Sequence, residues 1–275
     1  MKTPWYRFKK RVYKKRNNSG LDKAIDATYI IHLEGNGRLP NIKKQLRVFK
    51  PSRVVYILFN KGFKETDKDL PRRTAPEDLI DAFLHVFRHA ARKGYDNILV
   101  LEDDFIFDPK IMDPRICRDI STFLSNKKRE KQTRSDSFIY LLGSIPFIRG
   151  PYSGNHNRLL LSCGMHACIY SKFARESVLS VDQEKIGDWD VYHNIYNFQN
   201  KYTYYQPLCY QLFPCTANSE VWSKYYCNMG KGVYFLFKMF GLDNSVEPGY
   251  TAFYIFSLLQ YYYWIILFSV VLFYV

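Results

Sequence analysis

The stretch Asn97-Ile98-Leu99-Val100-Leu101-Glu102-Asp103-Asp104 joins a short apolar run directly to three consecutive carboxylates. Such a run, bounded by polar residues, predicts a strand that is buried on both faces. Three adjacent anions repel one another, and a pair about 4 Å apart costs several kcal/mol at a dielectric constant of about 20. The pattern therefore favours a hard divalent cation with oxygen ligands beside them, which would also bring a phosphate-bearing substrate to this end of the sheet. The alternative is a strand that ends in water, where acidic side chains are harmless.

Around this stretch, apolar runs alternate with segments of helical periodicity. Residues 27–33, 53–59 and 138–142 are β-branched and aromatic runs bounded by turn residues, which predicts three more strands. Helices are predicted at 40–49 and 76–94 from a proline at the start of each and, for the second, a glycine at its end. This order predicts an α/β fold with a Rossmann-type, mostly parallel central sheet flanked by helices. Its ligand crevice would lie at the carboxyl ends of the strands, where the carboxylates are.

The basic charge of the chain is concentrated near its N-terminal end. The net charge is +14, and residues 1–16 hold eight Lys or Arg side chains and no acid. The other 259 residues carry +6, which argues against nucleic acid as a partner of the folded body. Aromatic residues interleave with the cations, as in segments that lie on anionic lipid, and a solvated tail without a partner is the alternative. Residues 1–20 are therefore interpreted as a basic, aromatic N-terminal tail.

At the other end, residues 250–275 contain no charged side chain. As a helix they would extend roughly 39 Å at about 1.5 Å per residue, enough to cross a hydrocarbon core of about 30 Å. Lys231 and Lys238 precede this segment, and the positive-inside bias predicts that the body faces the cytoplasm. A helix that lies on the membrane, or an apolar oligomer contact, is the alternative, because Gln260 and six tyrosines make the segment less oily.

Length, composition and cysteine count narrow the class of protein. The 275 residues are 47% apolar and 17% aromatic, which excludes a disordered or collagen-like chain. The length suits one large domain or two small ones. The six cysteines form no Cys-x-x-Cys pair and have no histidine at zinc-finger spacing, so a structural zinc site is not expected. Reduced thiols in the core are expected, with disulfides as the alternative.

Four parts of the chain form a recognisable series. They are Tyr29-Ile30-Ile31-His32-Leu33-Glu34 with the basic helix after it; the helix at 75–92 that leads into the acidic motif; Cys163-Gly164-Met165-His166-Ala167-Cys168-Ile169-Tyr170-Ser171; and Ile186-Gly187-Asp188-Trp189-Asp190. In this order they resemble glycosyltransferase family 25, the lipooligosaccharide and collagen galactosyltransferase-like enzymes. The resemblance covers residues 27 to about 222, and the acidic motif is its most specific part.

The resemblance implies a GT-A fold, a nucleotide-sugar donor, expected to be UDP-linked, and transfer with inversion. It places the donor contacts at six residues: His32, Leu33, Glu34, Arg38, Glu102 and Asp103. Two segments depart from the family's pattern. Gly35-Asn36-Gly37 replaces an Asp/Arg-rich loop, and Phe83-Leu84-His85 stands where a Ser-His pattern is usual. His85 therefore fits a core or surface histidine better than a functional one.

Inversion at an anomeric carbon needs a base for the acceptor hydroxyl and a group that stabilises the departing diphosphate. Asp190, followed by Asp188, is the predicted catalytic base, because like charges drive the pKa values of neighbouring carboxylates apart. Trp189 lies between them, and its indole is suited to stacking on a sugar ring. The alternative is that the pair caps the helix that follows, and both roles can coexist.

The predicted cofactor is Mn²⁺ or Mg²⁺. Asp104 is the predicted direct ligand and Glu102 supports it, because the two side chains point to the same side of an extended strand. Asp103 would then face the backbone at the sheet edge. His166 completes the predicted metal site or contacts the diphosphate, and a satisfied buried histidine is the alternative.

These features predict a membrane-anchored glycosyltransferase that moves a sugar from a nucleoside diphosphate to a glycan, lipid-linked or protein-linked acceptor. Its catalytic domain would occupy 21–230, a membrane-proximal segment 231–249 and a membrane helix 250–275. Nucleotidyl or phosphoryl transfer is the second enzymatic interpretation, although the sequence has no Walker-type Gly-x-x-x-x-Gly-Lys motif. A basic, tail-anchored scaffold or nucleic-acid binder is the non-enzymatic one.

Overall fold

The computed structural model describes residues 5–13, 20–130, 137–197, 199–213 and 230–274. Within these ranges the strands are β1 (Tyr6–Val12), β2 (Ala27–Leu33), β3 (Val54–Asn60), β4 (Asn97–Glu102), β5 (Ile106–Phe107), β6 (Ile139–Ser153), β7 (His156–Ser171), β8 (Lys201–Tyr204) and β9 (Cys209–Tyr210). The α-helices are α1 (Leu39–Val48), α2 (Ala75–Arg92), α3 (Pro114–Glu130), α4 (Lys172–Leu179), α5 (Trp189–Tyr196), α6 (Gly230–Met239) and α7 (Gly249–Tyr274).

Seven strands form the central sheet in the order β1-β3-β2-β4-β7-β6-β8. β2 pairs in parallel with both β3 and β4, and β6 pairs in parallel with β8. β1 and β7 run against their neighbours, so five of the seven strands point in one direction. The predicted α/β class and the mostly parallel sheet are therefore confirmed. β5 and β9 form a separate antiparallel pair.

The central strands read as continuous apolar runs because both faces of the sheet are covered by helices. Along β4, Leu99 and Leu101 face the cluster that α1 and α3 complete. Ile98 and Val100 alternate to the other face, where α2, α4 and α5 pack. Side chains of successive residues point to opposite faces of a strand, so Glu102 continues the row of Ile98 and Val100.

The structure corrects the predicted tail. Tyr6–Val12 form β1, an edge strand of the sheet, in antiparallel register with β3 from Tyr6–Asn60 to Val12–Val54. Tyr6 and Phe8 alternate inward and stack on His85 and His89 of α2, with ring centroids 4.1 and 4.2 Å apart. Arg7 and Lys9 alternate to the other face and are exposed, and charged side chains on an edge strand oppose further pairing. Residues 14–19 of the predicted tail lie outside the described residues.

The predicted boundary at residue 250 is also corrected. Tyr250, Phe253 and Tyr254 of α7 are buried in a third apolar cluster with α6. Arg149 of β6, itself buried, donates hydrogen bonds from Nε to the Tyr254 carbonyl and to Ser257 Oγ, both at 3.0 Å. The first half of α7 therefore belongs to the folded body, because its inner stripe of side chains packs on β6.

The outer part of α7 is exposed from Tyr262 to Leu272. Within the described residues, Gly249–Leu272 is the one helix long and apolar enough to cross a membrane. The predicted apolar C-terminal helix is present, and its orientation across a bilayer stays a prediction. Cys163, Cys168 and Cys209 are buried free thiols, as predicted. Cys117 is buried and donates from Sγ to the Ile111 carbonyl at 3.0 Å, and the remaining two cysteines lie outside the described residues.

Gly143 of β6 provides a test of the packing beneath the sheet edge. A Cβ atom there would lie 2.0 Å from the carbonyl oxygen of Cys209 and 2.6 Å from Nε2 of His166. We expect Gly143→Ala to lower the free energy of unfolding by at least about 1–3 kcal/mol, because the obstructing atom belongs to the backbone. The measurement is urea unfolding of the detergent-solubilised protein.

Gly232 in α6 is the matched control, since a Cβ there meets nothing within 4 Å. Gly232→Ala should leave stability unchanged or raise it by about 0.5–1 kcal/mol, because alanine favours a helix. Equal stability of both variants and the native protein would show that Cys209 and β6 are not packed in this way.

Candidate functional site

The acidic motif lies where the parallel strands end. β4 ends at Glu102, β2 beside it ends at Leu33, and β3 ends at Asn60. Asp103 and Asp104 follow in a turn rather than in an extended strand, since the Phe105 N–H donates to the Glu102 carbonyl at 3.4 Å. The side chains of an extended strand alternate between its two faces, and this alternation stops at Glu102. The prediction that Asp104 points to the same side as Glu102 assumed that the strand continues.

Asp103 holds the loop after β2. Its Oδ2 accepts from the Leu33 backbone N–H at 3.0 Å and from Asn36 Nδ2 at 2.6 Å, and lies 3.0 Å from His32 Nδ1. Its Oδ1 accepts from Arg38 Nη1 at 2.9 Å. Burial works against ionisation, but the bonds from His32, Arg38 and Asn36 outweigh it and hold the pKa of Asp103 below its usual value. Asp103 thus faces the backbone at the sheet edge, as the sequence predicted.

Asn36 is a residue that the sequence analysis missed. Its side chain bonds to Asp103 and also accepts from the Arg38 N–H at 3.0 Å. Gly35 and Gly37 on either side have φ angles of +82° and +74°, in the left-handed region that favours glycine. The Gly35-Asn36-Gly37 turn, noted only as a departure from a family pattern, is therefore the anchor of this loop to the acidic motif.

The Arg38 guanidinium lies beside the acidic motif, and the predicted divalent ion stays a prediction. Its Nη1 lies 2.9 Å from Asp103 Oδ1 and 2.9 Å from Asp104 Oδ2. Gln211, next to β9, also donates to Asp104 Oδ2 at 3.0 Å. The side chain of Arg38 is 39% exposed, so one side of this guanidinium faces solvent. Arg38 was predicted to contact a nucleotide, and it does lie at the acidic motif.

The surroundings of Asp104 and Glu102 do not fully compensate a negative charge on either side chain. Asp104 Oδ1 is buried and has no hydrogen-bond partner among the described residues. Burial raises the pKa of Asp104, and Arg38 and Gln211 oppose that rise. Burial also raises the pKa of Glu102 well above its usual value, and the charges of Asp104, Asp190 and Asp103 raise it further. The carboxylates of β4 and α5 therefore share one electrostatic environment, although they are distant in sequence.

Asp190 reaches this environment from α5. Its Oδ2 accepts from the Gly164 N–H at 2.7 Å and its Oδ1 from the Met165 N–H at 3.2 Å, which joins α5 to β7. β7 pairs with β4 up to Ala167 and Leu101, so Gly164 and Met165 lie next to the end of β4. Burial raises the pKa of Asp190 to about 7, with Asp188 adding to the rise and the two backbone N–H groups opposing it.

Asp188 takes the alternative role. It is the N-cap of α5, and its Oδ1 accepts from the Val191 N–H at 2.9 Å. An N-cap aspartate satisfies a free backbone donor and interacts favourably with the helix dipole. Its charge still raises the pKa of Asp190, so the two aspartates interact, and the catalytic role of either stays a prediction.

The structure contradicts the sugar-stacking role of Trp189. Its indole is 5% exposed, stacks on Phe83 with centroids 4.4 Å apart and donates from Nε1 to the Tyr170 hydroxyl at 3.0 Å. At the first position of α5 the side chain turns toward α2, so it packs in the core. His85 likewise matches the alternative reading, since it stacks on Tyr6 and burial lowers its pKa.

His166 matches the alternative of a satisfied buried histidine. Its Nδ1 lies 2.7 Å from the Gly164 carbonyl and its Nε2 lies 3.3 Å from the Cys209 carbonyl. Burial lowers its pKa to about 4, with both carbonyls opposing the fall. Both ring nitrogens face backbone carbonyl oxygens, and a neutral imidazole donates to one of them.

Of the other predicted donor contacts, His32 is buried against Phe59 and bonded to Asp103. Leu33 contributes its backbone N–H to Asp103, and its side chain is 40% exposed. Glu34 pairs with Arg7 of β1 at 3.2 Å. The residues predicted to contact the donor therefore lie together at the ends of β2 and β4. His32 and Asp103 are buried and bonded to each other, whereas Leu33, Glu34 and Arg38 are partly exposed.

A second missed feature lies behind Asp190. Lys201, at the start of β8, is completely buried and donates from Nζ to Asn194 Oδ1 of α5 and to Ser162 Oγ at 3.5 Å. Burial lowers the pKa of Lys201 to about 8, against the charge of Asp190, which raises it. No local signal marks this lysine in the sequence, because its role arises from the pairing of β8 with β6 and β7.

The donor chemistry at the motif fits a divalent cation in part. Among the described residues, no three His, Cys, Asp or Glu side chains are arranged to hold one metal ion. Asp104 Oδ1 is nevertheless a buried carboxylate oxygen without a partner there, and Glu102 lies beside it. Mg²⁺ commonly takes one or two protein carboxylates and completes its shell with water and substrate phosphates. Asp104 and Glu102 suit that mode of binding, and His166 does not.

Comparison with known proteins gives no family assignment. No family model matches the chain, and no curated protein matches its sequence. Among solved structures, A197 from STIV is 17% identical with a TM-score of 0.35, over 64% of this chain and 80% of that one. A glycosyltransferase involved in the glycosylation of the major capsid of PBCV-1 is 9% identical with a TM-score of 0.37, over 70% of this chain and 95% of that one. At these TM-scores neither likeness decides the activity of this chain.

The raised pKa of Asp190 predicts a dependence of stability on pH. A carboxyl with a pKa of about 7 in the folded state, against about 3.9 when unfolded, binds more protons in the native state. Its contribution to stability is present below about pH 4 and is lost as pH rises through 7. We expect Asp190→Asn to remove this fall, measured as the free energy of urea unfolding between pH 4 and 7.

Glu176→Gln is the control, because Glu176 is exposed on α4 and pairs loosely with Lys172 at 3.9 Å. This variant should keep the native slope of unfolding free energy against pH. Identical slopes for Asp190→Asn and Glu176→Gln would show that Asp190 has an ordinary pKa.

Proposed function

We propose that this protein is a metal-dependent, membrane-associated glycosyltransferase that transfers a sugar, with inversion, from a nucleoside diphosphate donor to a glycan or glycoconjugate. The observation that carries the proposal is the position of Glu102 at the carboxyl end of a parallel strand, where the charges of Asp104 and Asp190 both act on it. In open α/β sheets this is where ligands bind. The GT-A fold, the likeness to family 25 and a UDP-linked donor are parts of the same proposal.

Asp190 is proposed as the base that takes the proton from the acceptor hydroxyl. Each of its oxygens accepts one backbone N–H, which fixes the carboxylate and leaves a further lone pair on each oxygen. A pKa of about 7 is near the optimum for proton transfer at neutral pH. Asp188 supports this state through its charge while it caps α5.

Asp104 is proposed to hold Mn²⁺ or Mg²⁺ through its unpartnered Oδ1, with Glu102 beside it. When bound, the ion would neutralise the charge of the diphosphate leaving group. Arg38, half-buried with two carboxylates on one side, presents further N–H groups toward solvent, and guanidinium groups bind phosphate well. His32 and Asp103 keep Arg38 and the Gly35-Asn36-Gly37 turn in place, and Leu33 and Glu34 border the proposed nucleotide site.

The membrane part of the proposal rests on α7. Its outer part exposes apolar and aromatic side chains without any charge, including Ile266, Phe268 and Leu272. Trp264 and neighbouring tyrosines are residues typical of membrane interfaces. This attachment would keep the carboxylate site close to a lipid-linked or membrane-bound acceptor, with the body on the cytoplasmic side.

The two acidic roles can be separated by mutation. We expect Asp104→Asn to weaken the binding of UDP in the presence of Mn²⁺ by at least about tenfold, because it removes a charged ligand. Asp190→Asn should bind UDP normally but transfer sugar on the order of 10²–10⁴ times more slowly, as expected for loss of a general base. Isothermal titration calorimetry measures binding, and release of UDP from a panel of nucleotide sugars measures turnover.

Glu176→Gln is the control in both assays and should match the native protein. Normal UDP affinity in Asp104→Asn would overturn the metal assignment. Normal transfer in Asp190→Asn would overturn the base assignment. Absence of both nucleotide binding and turnover in the native protein, with all nucleotide sugars and with Mn²⁺ or Mg²⁺, would overturn the proposed function.

A further inference from the structure

A basic groove lies between the end of β1 and the outer side of α1. It encloses about 300 Å³ and is lined by Arg11, Tyr13, Lys43, Leu46, Arg47 and Lys50. Leu46 is buried and forms the floor, and Lys43 and Arg47, one turn apart, are exposed on the rim. Arg11 and Tyr13 were predicted to lie in a tail. They line this groove because β1 pairs with β3 at the edge of the sheet.

The basic groove holds four cations and no acidic residue among its lining side chains. None of Arg11, Lys43, Arg47 and Lys50 forms an ion pair within the described part of the chain, and no carboxylate lines the groove. The nearby acid Asp22 accepts from the Arg53 N–H at 2.6 Å instead. Lys50 Nζ lies 5.6 Å from the centroid of the Tyr13 ring. This cation–π contact is favourable but does not neutralise the charge of the lysine. Like charges around one cavity repel one another, and an anion in the groove removes that repulsion.

The basic groove is separate from the carboxylate site. Arg38, just before α1, contacts Asp103 and Asp104, whereas Lys50 follows the other end of the helix. α1 has ten residues, which is roughly 15 Å of helix. Val12 pairs with Val54 at the start of β3, so the groove lies near the amino ends of the parallel strands and the carboxylates near their carboxyl ends.

The charge and shape of the basic groove favour the headgroups of a lipid surface. The groove itself presents four cations, on Arg11, Lys43, Arg47 and Lys50. Clusters of four to eight Lys or Arg residues attract anionic lipid headgroups, at about 1 kcal/mol for each residue. A duplex nucleic acid needs a longer basic track, because phosphates recur along its whole length. A compact cavity of about 300 Å³ instead suits a single phosphorylated headgroup.

We propose that the basic groove binds the phosphate groups of anionic lipids and holds the β1 edge of the protein against the membrane. α7 packs on β6, near the opposite edge of the sheet. The protein would then have two membrane attachments, an apolar one through α7 and an electrostatic one through the groove. This proposal does not depend on the proposed glycosyl transfer.

The test compares binding of the full chain to phosphatidylcholine vesicles with and without about 20 mol% phosphatidylserine, by flotation at two salt concentrations. The native protein should bind the anionic vesicles more tightly, and high salt should reduce that gain. Lys43→Ala combined with Arg47→Ala should weaken binding to anionic vesicles roughly 30-fold. Binding to neutral vesicles, which depends on α7, should not change.

Two matched variants make the result specific. Lys64→Ala with Arg92→Ala removes the same charge from exposed positions elsewhere and should keep the full gain. Lys43→Arg with Arg47→Lys preserves the charge of the groove and should also keep the gain in binding to anionic vesicles. This result would exclude misfolding after substitution at these two positions as the cause of the weaker binding. An equal loss in Lys64→Ala/Arg92→Ala would show that only net charge matters and would overturn the proposal.

The same variants decide between lipid and soluble anions. Inorganic phosphate and a single-stranded RNA oligomer are titrated into the protein in detergent. The proposal is overturned if RNA binding depends on Lys43 and Arg47 while vesicle binding does not, or if anionic lipid gives no gain. Turnover of a soluble acceptor should be the same in Lys43→Ala/Arg47→Ala and in the native protein, so a failure here is distinguishable from a failure of the proposed function.

Discussion

The contact of Arg38 with Asp103 and Asp104 is the interaction on which the rest of the site depends. Carboxylates crowded at the end of a buried strand are costly unless a cation or several hydrogen bonds compensate them. Arg38 supplies the charge, and Asn36, His32 and the Leu33 N–H supply the bonds. One consequence is that the loop after β2 is fixed to the turn after β4. The other is that Asp104 Oδ1 is left without a hydrogen-bond partner among the described residues, and that the neighbouring carboxylates raise the pKa of Glu102.

The crowding of carboxylates at the end of β4 also involves α5, because the charge of Asp190 acts on Glu102. Asp190 accepts the N–H groups of Gly164 and Met165, and β7 carries those residues to the end of β4. Because burial and the charge of Asp188 raise its pKa to about 7, Asp190 can exchange a proton near neutral pH. The Asp188 cap of α5 and the pairing of β7 with β4 thus place one titratable group near the acidic motif.

Sequence reasoning succeeded where burial alone decides structure. β2 and β4 were predicted to within one residue, since strands covered on both faces read as unbroken apolar runs. It failed where the structure of a segment depends on contacts with residues that are distant in the sequence. β1 was read as a tail because its charges dominate its composition, and Trp189 was assigned to sugar because its packing against Phe83 comes from another helix. α7 was separated from the body because an apolar composition does not distinguish lipid from protein as its neighbour.

The most direct measurement of the central claim is an anomalous difference map from crystals of the full chain grown with MnCl₂ and UDP. We expect a manganese peak at Asp104 Oδ1, with the diphosphate of UDP between that peak and Arg38. Density for UDP elsewhere on the protein, or Asp104 and Arg38 still paired with no peak beside them, would contradict the assignment of this carboxylate cluster as a nucleotide-sugar site.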